Sequence, residues 1–234
     1  MLKFFKHKLP NKRLNWFFTS LSSVFAPPPV RNFPKGFYSP NLKFTEDCIK
    51  LVKDEINNFV LGIDREVTFL DVGGRHGEHR FLANNLKYSI LEIDNTVVGN
   101  NIIFGDICNC PIIPNSSFDI VYSNNVFEHL KNPFSAAKES IRILKKNGLL
   151  ICVVPFSARY HPVPIDCFRY THEGLIALFE NKNKIQRVFT GYDISGRRNN
   201  KIGGKIKGGL DCTVVDELGG WRENWKAIYI GKKC

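Results

Sequence analysis

Residues 1 to 44 of this 234-residue chain contain no aspartate or glutamate. They hold Lys3, Lys6, Lys8, Lys12, Arg13, Arg31, Lys35 and Lys43, eight charges of the formal net +11. A membrane-spanning run is also lacking: the apolar stretch from Leu14 to Phe25 is too short and too polar for the roughly 20 residues a span needs. The seven cysteines (Cys48, Cys108, Cys110, Cys152, Cys167, Cys212 and Cys234) are odd in number and form no C-x-x-C pair. That suggests neither a disulfide framework nor a zinc site, and fits a reducing cytoplasm. Cys108-Asn109-Cys110 is too close-set for a metal clamp and reads as buried or loop thiols. The phosphate loop ending in Gly-Lys-Ser/Thr is missing, and Arg75 stands where a dinucleotide fingerprint needs its second glycine. Internal repeats and low-complexity segments are absent as well.

The remaining composition, 43% apolar, supports a real core, and the length suits one domain plus an extension. The basic N-terminal segment is interleaved with Phe4, Phe5, Trp16, Phe17, Phe18 and Phe25. Such a segment lies on an anionic membrane face or packs on its own domain or a partner subunit. A signal peptide cleaved after Ala26 is a third reading, opposed by Pro27. Pro27-Pro28-Pro29 then makes a stiff spacer. The domain proper is expected over residues 45 to 234. Thr45 is placed to cap a helix whose Ile49, Val52, Ile56 and Phe59 form one apolar stripe ending at Gly62.

Chemistry begins at Val67 to Gly77, VTFLDVGGRHG. An apolar strand ends on Asp71, and Gly73, Gly74 and Gly77 supply a turn ahead of a helix starting at Glu78. Strand, glycine turn and helix form the ligand corner of doubly wound sheets. Further strands follow at YSILEID (Tyr88 to Asp94), NIIFGD (Asn101 to Asp106), FDIVYS (Phe118 to Ser123) and LLICVVP (Leu149 to Pro155). Asp94 lies 17 positions beyond Gly77, near the ~20 expected of a ribose-binding carboxylate. Between the last two strands a helix is capped by Asn132, with Pro133 in its first turn. Phe134, Ala137, Ile141 and Leu144 lie on one face, and Asn147-Gly148 ends it. Only Asn95 to Asn101 separates the second strand from the third, too few residues for a helical crossover.

LDVGGRHG, LEID, FGDI, NSSFDIVYSNNVFEHL and AAKESIRILKKNGLLICVVPF, in that order, resemble the successive motifs of class I S-adenosylmethionine-dependent methyltransferases. The resemblance covers roughly Thr45 to Cys234. It implies an α/β, Rossmann-like doubly wound fold, a mainly parallel seven-stranded sheet with helices on both faces. It implies S-adenosylmethionine as cofactor, its amino-acid end held by Asp71, Gly73, Gly74 and Gly77. The acid ending the second strand, matched to Asp94, binds ribose; Asp106 contacts adenine, with Ile107 packed on the ring. The sequence departs from the family at Arg75, the usual middle glycine of the turn, which either swings toward an anionic substrate or stays solvated.

Methyl transfer from a sulfonium needs alignment and, for a hydroxyl acceptor, a base. Glu128-His129, after the fourth strand, offers one histidine; the alternative is a capping role. The loop from Phe156 to Tyr170, FSARYHPVPIDCFRY, offers His161 and Asp166 as bases and Arg159 and Arg169 as grips for an anionic group, or forms a structural lid. HPVPIDCFRYT resembles a signature of a bacterial methyltransferase subgroup associated with surface glycans. Thr171 is placed to cap the next helix. The glycine-rich, basic stretch Ser195 to Gly209 suits phosphate binding or a solvated loop. These observations point to O-methylation of a sugar that is phosphorylated, nucleotide-linked or lipid-linked, by an enzyme in the cytoplasm or at the inner membrane face. RNA methylation and a non-catalytic scaffold stand as alternatives. No metal is expected.

Overall fold

The computed structural model describes residues 42–45, 47–74, 85–158, 160–162, 164–180, 184–196 and 224–234. The expectations placed on residues 1–41, Arg75, Gly77, Glu78, Arg159 and the 197–223 stretch lie outside these. The described elements are β1 (Lys43–Thr45), α1 (Cys48–Leu61), β2 (Val67–Val72), β3 (Leu86–Glu92), β4 (Ile102–Phe104) and β5 (Phe118–Asn124). A 3-10 turn (Phe127–His129), α2 (Pro133–Ile143), β6 (Leu144–Ser157), α3 (His172–Phe179), β7 (Ile185–Gly196) and β8 (Asn224–Lys233) follow.

One eight-stranded sheet runs in the order β1-β7-β8-β6-β5-β2-β3-β4. Every neighbouring pair is parallel except those of β8, which is antiparallel to both β6 and β7. This is the expected doubly wound sheet, with the three-residue β1 added as an eighth strand beside β7. A three-residue strand is too short to show alternation in sequence. Between β3 and β4 residues 93–101 form no helix, as their number required.

The period of two along each strand sorts side chains to the two faces. Phe69, Ile120, Leu149, Ile151, Val153, Ile228 and Ile230 pack on α1 through Cys48, Val52 and Ile56. Leu70, Val121, Leu150, Cys152, Val154, Ala227 and Tyr229 pack with α2 and α3. Helices therefore cover both faces.

Two helix expectations shift by a few residues. α1 is capped by Asp47, which accepts the Lys50 N–H at 2.8 Å, while Thr45 belongs to β1. Cys48, Val52 and Ile56 form its buried stripe, and Ile49 is exposed. α2 has the expected Asn132 cap and first-turn Pro133 but stops at Ile143. Leu144 is already extended, because β6 starts there and pairs with Phe118 before its bulge. The inward face is Pro133, Ala136, Ala137, Ser140, Ile141 and Ile143; small residues let the helix lie close to the sheet, and Phe134 is left 61% exposed.

The amino ends of β2, β5 and β6 are tied by Asp119. It accepts from both Arg65 guanidinium nitrogens (2.9 and 2.6 Å), the Thr68 N–H (2.9 Å), the Thr68 hydroxyl (2.7 Å) and Lys145 Nζ (2.9 Å). Burial pushes its pKa up, but Arg65, Thr68 and Lys145 together outweigh that and hold the carboxyl well below the usual range. A depressed folded-state pKa contributes stability above the unfolded value, about 4, and loses it as pH falls from there toward the folded value. Asp119→Ala is expected to cost roughly 2–4 kcal/mol at neutral pH. Urea unfolding across pH checks this: the gap between native chain and variant narrows below about pH 4. A constant gap would show that the ion pairs are not its source.

Candidate active site

The carboxyl ends of β2, β5 and β6 carry two adjoining sets of polar groups. The first is the glycine corner after β2. Asp71 is 2% exposed and accepts from the Tyr88 hydroxyl of β3. Gly73 has φ +72°, a conformation glycine adopts without strain, and its N–H donates to Leu91 O at 2.8 Å. At Gly74 a Cβ would fall 2.2 Å from the Asp71 carboxyl carbon, so only glycine lets backbone pass over that carboxylate.

β3 stops at Glu92, two residues before Asp94. Glu92 is 4% exposed, and its carboxylate accepts the Ile93 and Asp94 N–H groups at 2.9 and 3.2 Å. Asp94 instead folds onto its own loop, accepting from the N–H and hydroxyl of Thr96. Asp106, exposed after β4, accepts the Cys108 N–H at 2.8 Å. Ile107 is buried in the core on the α2 and α3 face.

The second set is built by the exit from β5 and the loop after β6. Asn125 takes φ 54°, tolerable for asparagine, and turns the chain into the short Phe127–His129 helix. This places Val126 against Gly73: a Cβ there would lie 2.8 Å from Val126 Cγ2. Two residues on, Glu128 is fully buried. Its carbonyl accepts the Cys167 and Phe168 N–H groups at 2.7 and 3.1 Å. Among the described residues, its two carboxylate oxygens have no hydrogen-bond partner outside their own residue. Burial pushes its pKa up, against the charges of His129, His161 and Arg169.

Around that carboxylate stand two imidazoles. His129 Nε2 is 3.8 Å from Glu128 Oε1, and the His129 and His161 rings meet edge to face with centroids 5.2 Å apart. His129 Nδ1 faces the Ile165 carbonyl, which can only accept, so Nδ1 carries a proton and in the neutral tautomer Nε2 is the nitrogen with the lone pair. Asp166 and Arg169 frame the group. Arg169 binds Asp166 through both terminal nitrogens (2.5 and 2.6 Å), and Asp166 also accepts the His161 N–H at 2.8 Å. The Arg169 hydrogen bonds hold the Asp166 carboxyl well below its usual range despite burial. With its side chain 2% exposed, Asp166 is a brace for the loop and a poor proton acceptor. The Tyr170 hydroxyl anchors the loop's far end on Phe127 O at 2.9 Å.

Of the residues singled out in sequence, the fold brings His129, His161, Asp166 and Arg169 together, and joins Asp71, Gly73 and Gly74 in one corner. Gly77, Arg75 and Arg159 lie outside the described residues. Glu92 and Glu128 were not assigned to the site from sequence. The first shows itself only when the last strand residue is known; the second, an acid between Phe127 and His129, shows itself only by its burial. A cavity of about 540 Å³ lined by Asn115, Phe134, Lys138, Arg142, Lys184 and Lys233 lies at the opposite end of the strands, away from this chemistry. Among the described residues no helix is long and apolar enough to cross a membrane.

Residues 54–152 match the family described as a methyltransferase domain. No curated protein matches the sequence. Among solved structures, the chain is similar to MccD protein (14% identity, TM-score 0.56, covering 79% of this chain and 97% of that one). It is also similar to an S-adenosylmethionine-dependent methyltransferase of Archaeoglobus fulgidus (16%, TM-score 0.54, 79% and 94%). A third is the S-adenosylmethionine-dependent methyltransferase of Methanosarcina mazei (12%, TM-score 0.52, 76% and 96%). At such identities the likeness establishes the fold. The matched residues carry a methyltransferase domain, and the protein is an enzyme with S-adenosylmethionine as its cofactor.

Gly74→Ala is expected to push the Asp71 carboxylate aside and lower affinity for S-adenosylmethionine at least tenfold, about 1.4 kcal/mol. Calorimetric titration checks this, and unchanged affinity would mean that the corner yields without consequence.

Proposed function

We propose that this enzyme methylates a hydroxyl of a sugar in a phosphorylated, nucleotide-linked or lipid-linked glycan precursor. The observation that carries the reading is the buried Glu128 carboxylate, without a partner, facing two imidazoles beside the cofactor corner. A buried acid without a hydrogen bond is costly, and such groups persist where chemistry uses them. A sulfonium donor already carries its leaving group, so an oxygen acceptor asks the protein only for alignment and removal of one proton. The cluster supplies that removal. Arg169 and Arg159 favour an anionic acceptor, and the HPVPIDCFRYT loop resembles that of glycan-associated enzymes.

In this reading Asp71, Gly73, Gly74 and Gly77 hold the amino-acid end of the cofactor. Glu92, which ends its strand, takes the ribose in place of Asp94. Asp106 and Ile107 lie on the adenine side. The basic, aromatic residues 1–26 add a peripheral contact with an anionic membrane, where a lipid-linked acceptor resides. Vesicle flotation with anionic lipids tests that contact, and equal flotation of a chain starting at Pro27 would exclude it.

Two comparisons test the site. Glu92→Gln should cost roughly 1.5–3 kcal/mol of S-adenosylmethionine binding, and Asp94→Ala clearly less; the reverse order would restore the ribose contact to Asp94. His129→Ala should lower turnover of the cognate hydroxyl by roughly 10²–10⁴ with cofactor affinity barely moved. A variant near full turnover would remove the cluster from the reaction.

A further inference from the structure

We propose that Glu128, His129 and His161 form a binding site for a first-row divalent metal ion that activates the acceptor hydroxyl. This rests on the reading of the enzyme as a hydroxyl methyltransferase and names how its site works. One ligand atom from each of the three residues lies within 4.8 Å of the others. Nitrogen and oxygen donors bind such ions at about 2.0–2.2 Å, which sets neighbouring donors roughly 3–3.6 Å apart. Glu128 Oε1 and His129 Nε2 are already at 3.8 Å, and the widest separation in the group, up to 4.8 Å, closes around an ion with shifts of about 1–2 Å.

Two independent features point to a cation. The Glu128 carboxylate is fully buried, and among the described residues both oxygens are without a partner outside the residue. A buried carboxylate normally has either a hydrogen-bond donor or a positive ion against it, and here no donor is supplied. His129 meets the usual arrangement of a metal-binding histidine: one ring nitrogen is engaged by a backbone carbonyl, that of Ile165, and the other presents its lone pair to the site. Arg169 borders the cluster, its Nη2 3.4 Å from His161 Nδ1, and two hydrogen bonds to Asp166 match part of its charge.

Two imidazoles and one carboxylate suit zinc, manganese, iron(II) or cobalt(II), and leave coordination positions open for substrate oxygen. The acceptor hydroxyl binds at an open position and loses its proton to solvent, because coordination lowers its pKa. The oxygen's electron pair then forms the O–CH₃ bond as the S–CH₃ bond breaks. That bond's pair remains on sulfur, turning the sulfonium into a neutral thioether. The net change is R–OH plus the methylsulfonium giving R–OCH₃, the thioether and one proton. Glu128 and His129 are adjacent and His161 follows more than 30 positions later, a spacing that matches no recognised metal motif.

The full chain, stripped with chelator, is titrated with Mn²⁺ and followed by electron paramagnetic resonance of the free ion; manganese keeps the cysteine thiols out of the measurement. Zn²⁺ calorimetry gives a second readout. One equivalent per chain is expected, weakened more than tenfold in Glu128→Gln, His129→Ala and His161→Ala, each checked for folding by circular dichroism. Turnover should fall to background in chelator and return with one of the ions. Absence of stoichiometric binding, or binding that survives all three substitutions, would overturn the site. Chelator-insensitive turnover that still collapses in His129→Ala would also overturn it while leaving hydroxyl methylation standing. Stoichiometric binding with no methylated hydroxyl upholds the metal and overturns the acceptor reading instead.

Discussion

The carboxyl end of this sheet is organised by the burial of one acidic residue. Glu128 sits at zero exposure because its backbone carbonyl is the fixed point for the loop after β6, receiving both the Cys167 and the Phe168 N–H. Those bonds hold the short helix after β5 against the HPVPIDCFRY segment. They carry His161, Asp166 and Arg169 to His129 across a sequence gap of more than 30 residues. The same short helix starts from Asn125 and Val126, and Val126 abuts the Gly73 turn. The glycine corner and the histidine cluster are thus joined through a few residues of backbone.

Two carboxylates in this region are driven in opposite directions by their neighbours. Asp166 is locked by a bidentate guanidinium and kept ionised, which suits a brace. Glu128, with no such partner, is raised by burial. One acid stabilises the loop, and the other remains available for an ion, a proton or a substrate. The Asp166–Arg169 pair is what a structural lid calls for; the buried Glu128 carboxylate is what a lid alone leaves unexplained.

Much of the fold was legible because parallel strands buried on both faces leave apolar runs that end on acids and glycines. β2, β3, β5 and the centre of β6 follow that pattern, and Asn132 with Pro133 marked the start of α2 correctly. Short or bulged pieces were not legible. β1 has three residues, and β6 begins at Leu144 inside what reads as a helix end, because pairing with Phe118 overrides the local signal of Asn147-Gly148. The Asp47 cap displaced Thr45 by the same kind of tertiary demand, since Thr45 is used by the sheet. At the site, the residue types were visible but their roles were not. Asp166 and Glu128 look alike as letters; only their partners distinguish a paired acid from an unpaired one. Glu92 and Asp94 differ by where a strand stops, which a sequence leaves loose by a couple of residues.

The central claim is that the methyl group is delivered at Glu128, His129 and His161. A crystal structure with S-adenosylhomocysteine and Mn²⁺ addresses it most directly. The account predicts the cofactor's sulfur opening toward the cluster, one anomalous peak among the three side chains, and room for a single hydroxyl between metal and sulfur. A sulfur atom facing away from the cluster, with no peak there, would contradict it.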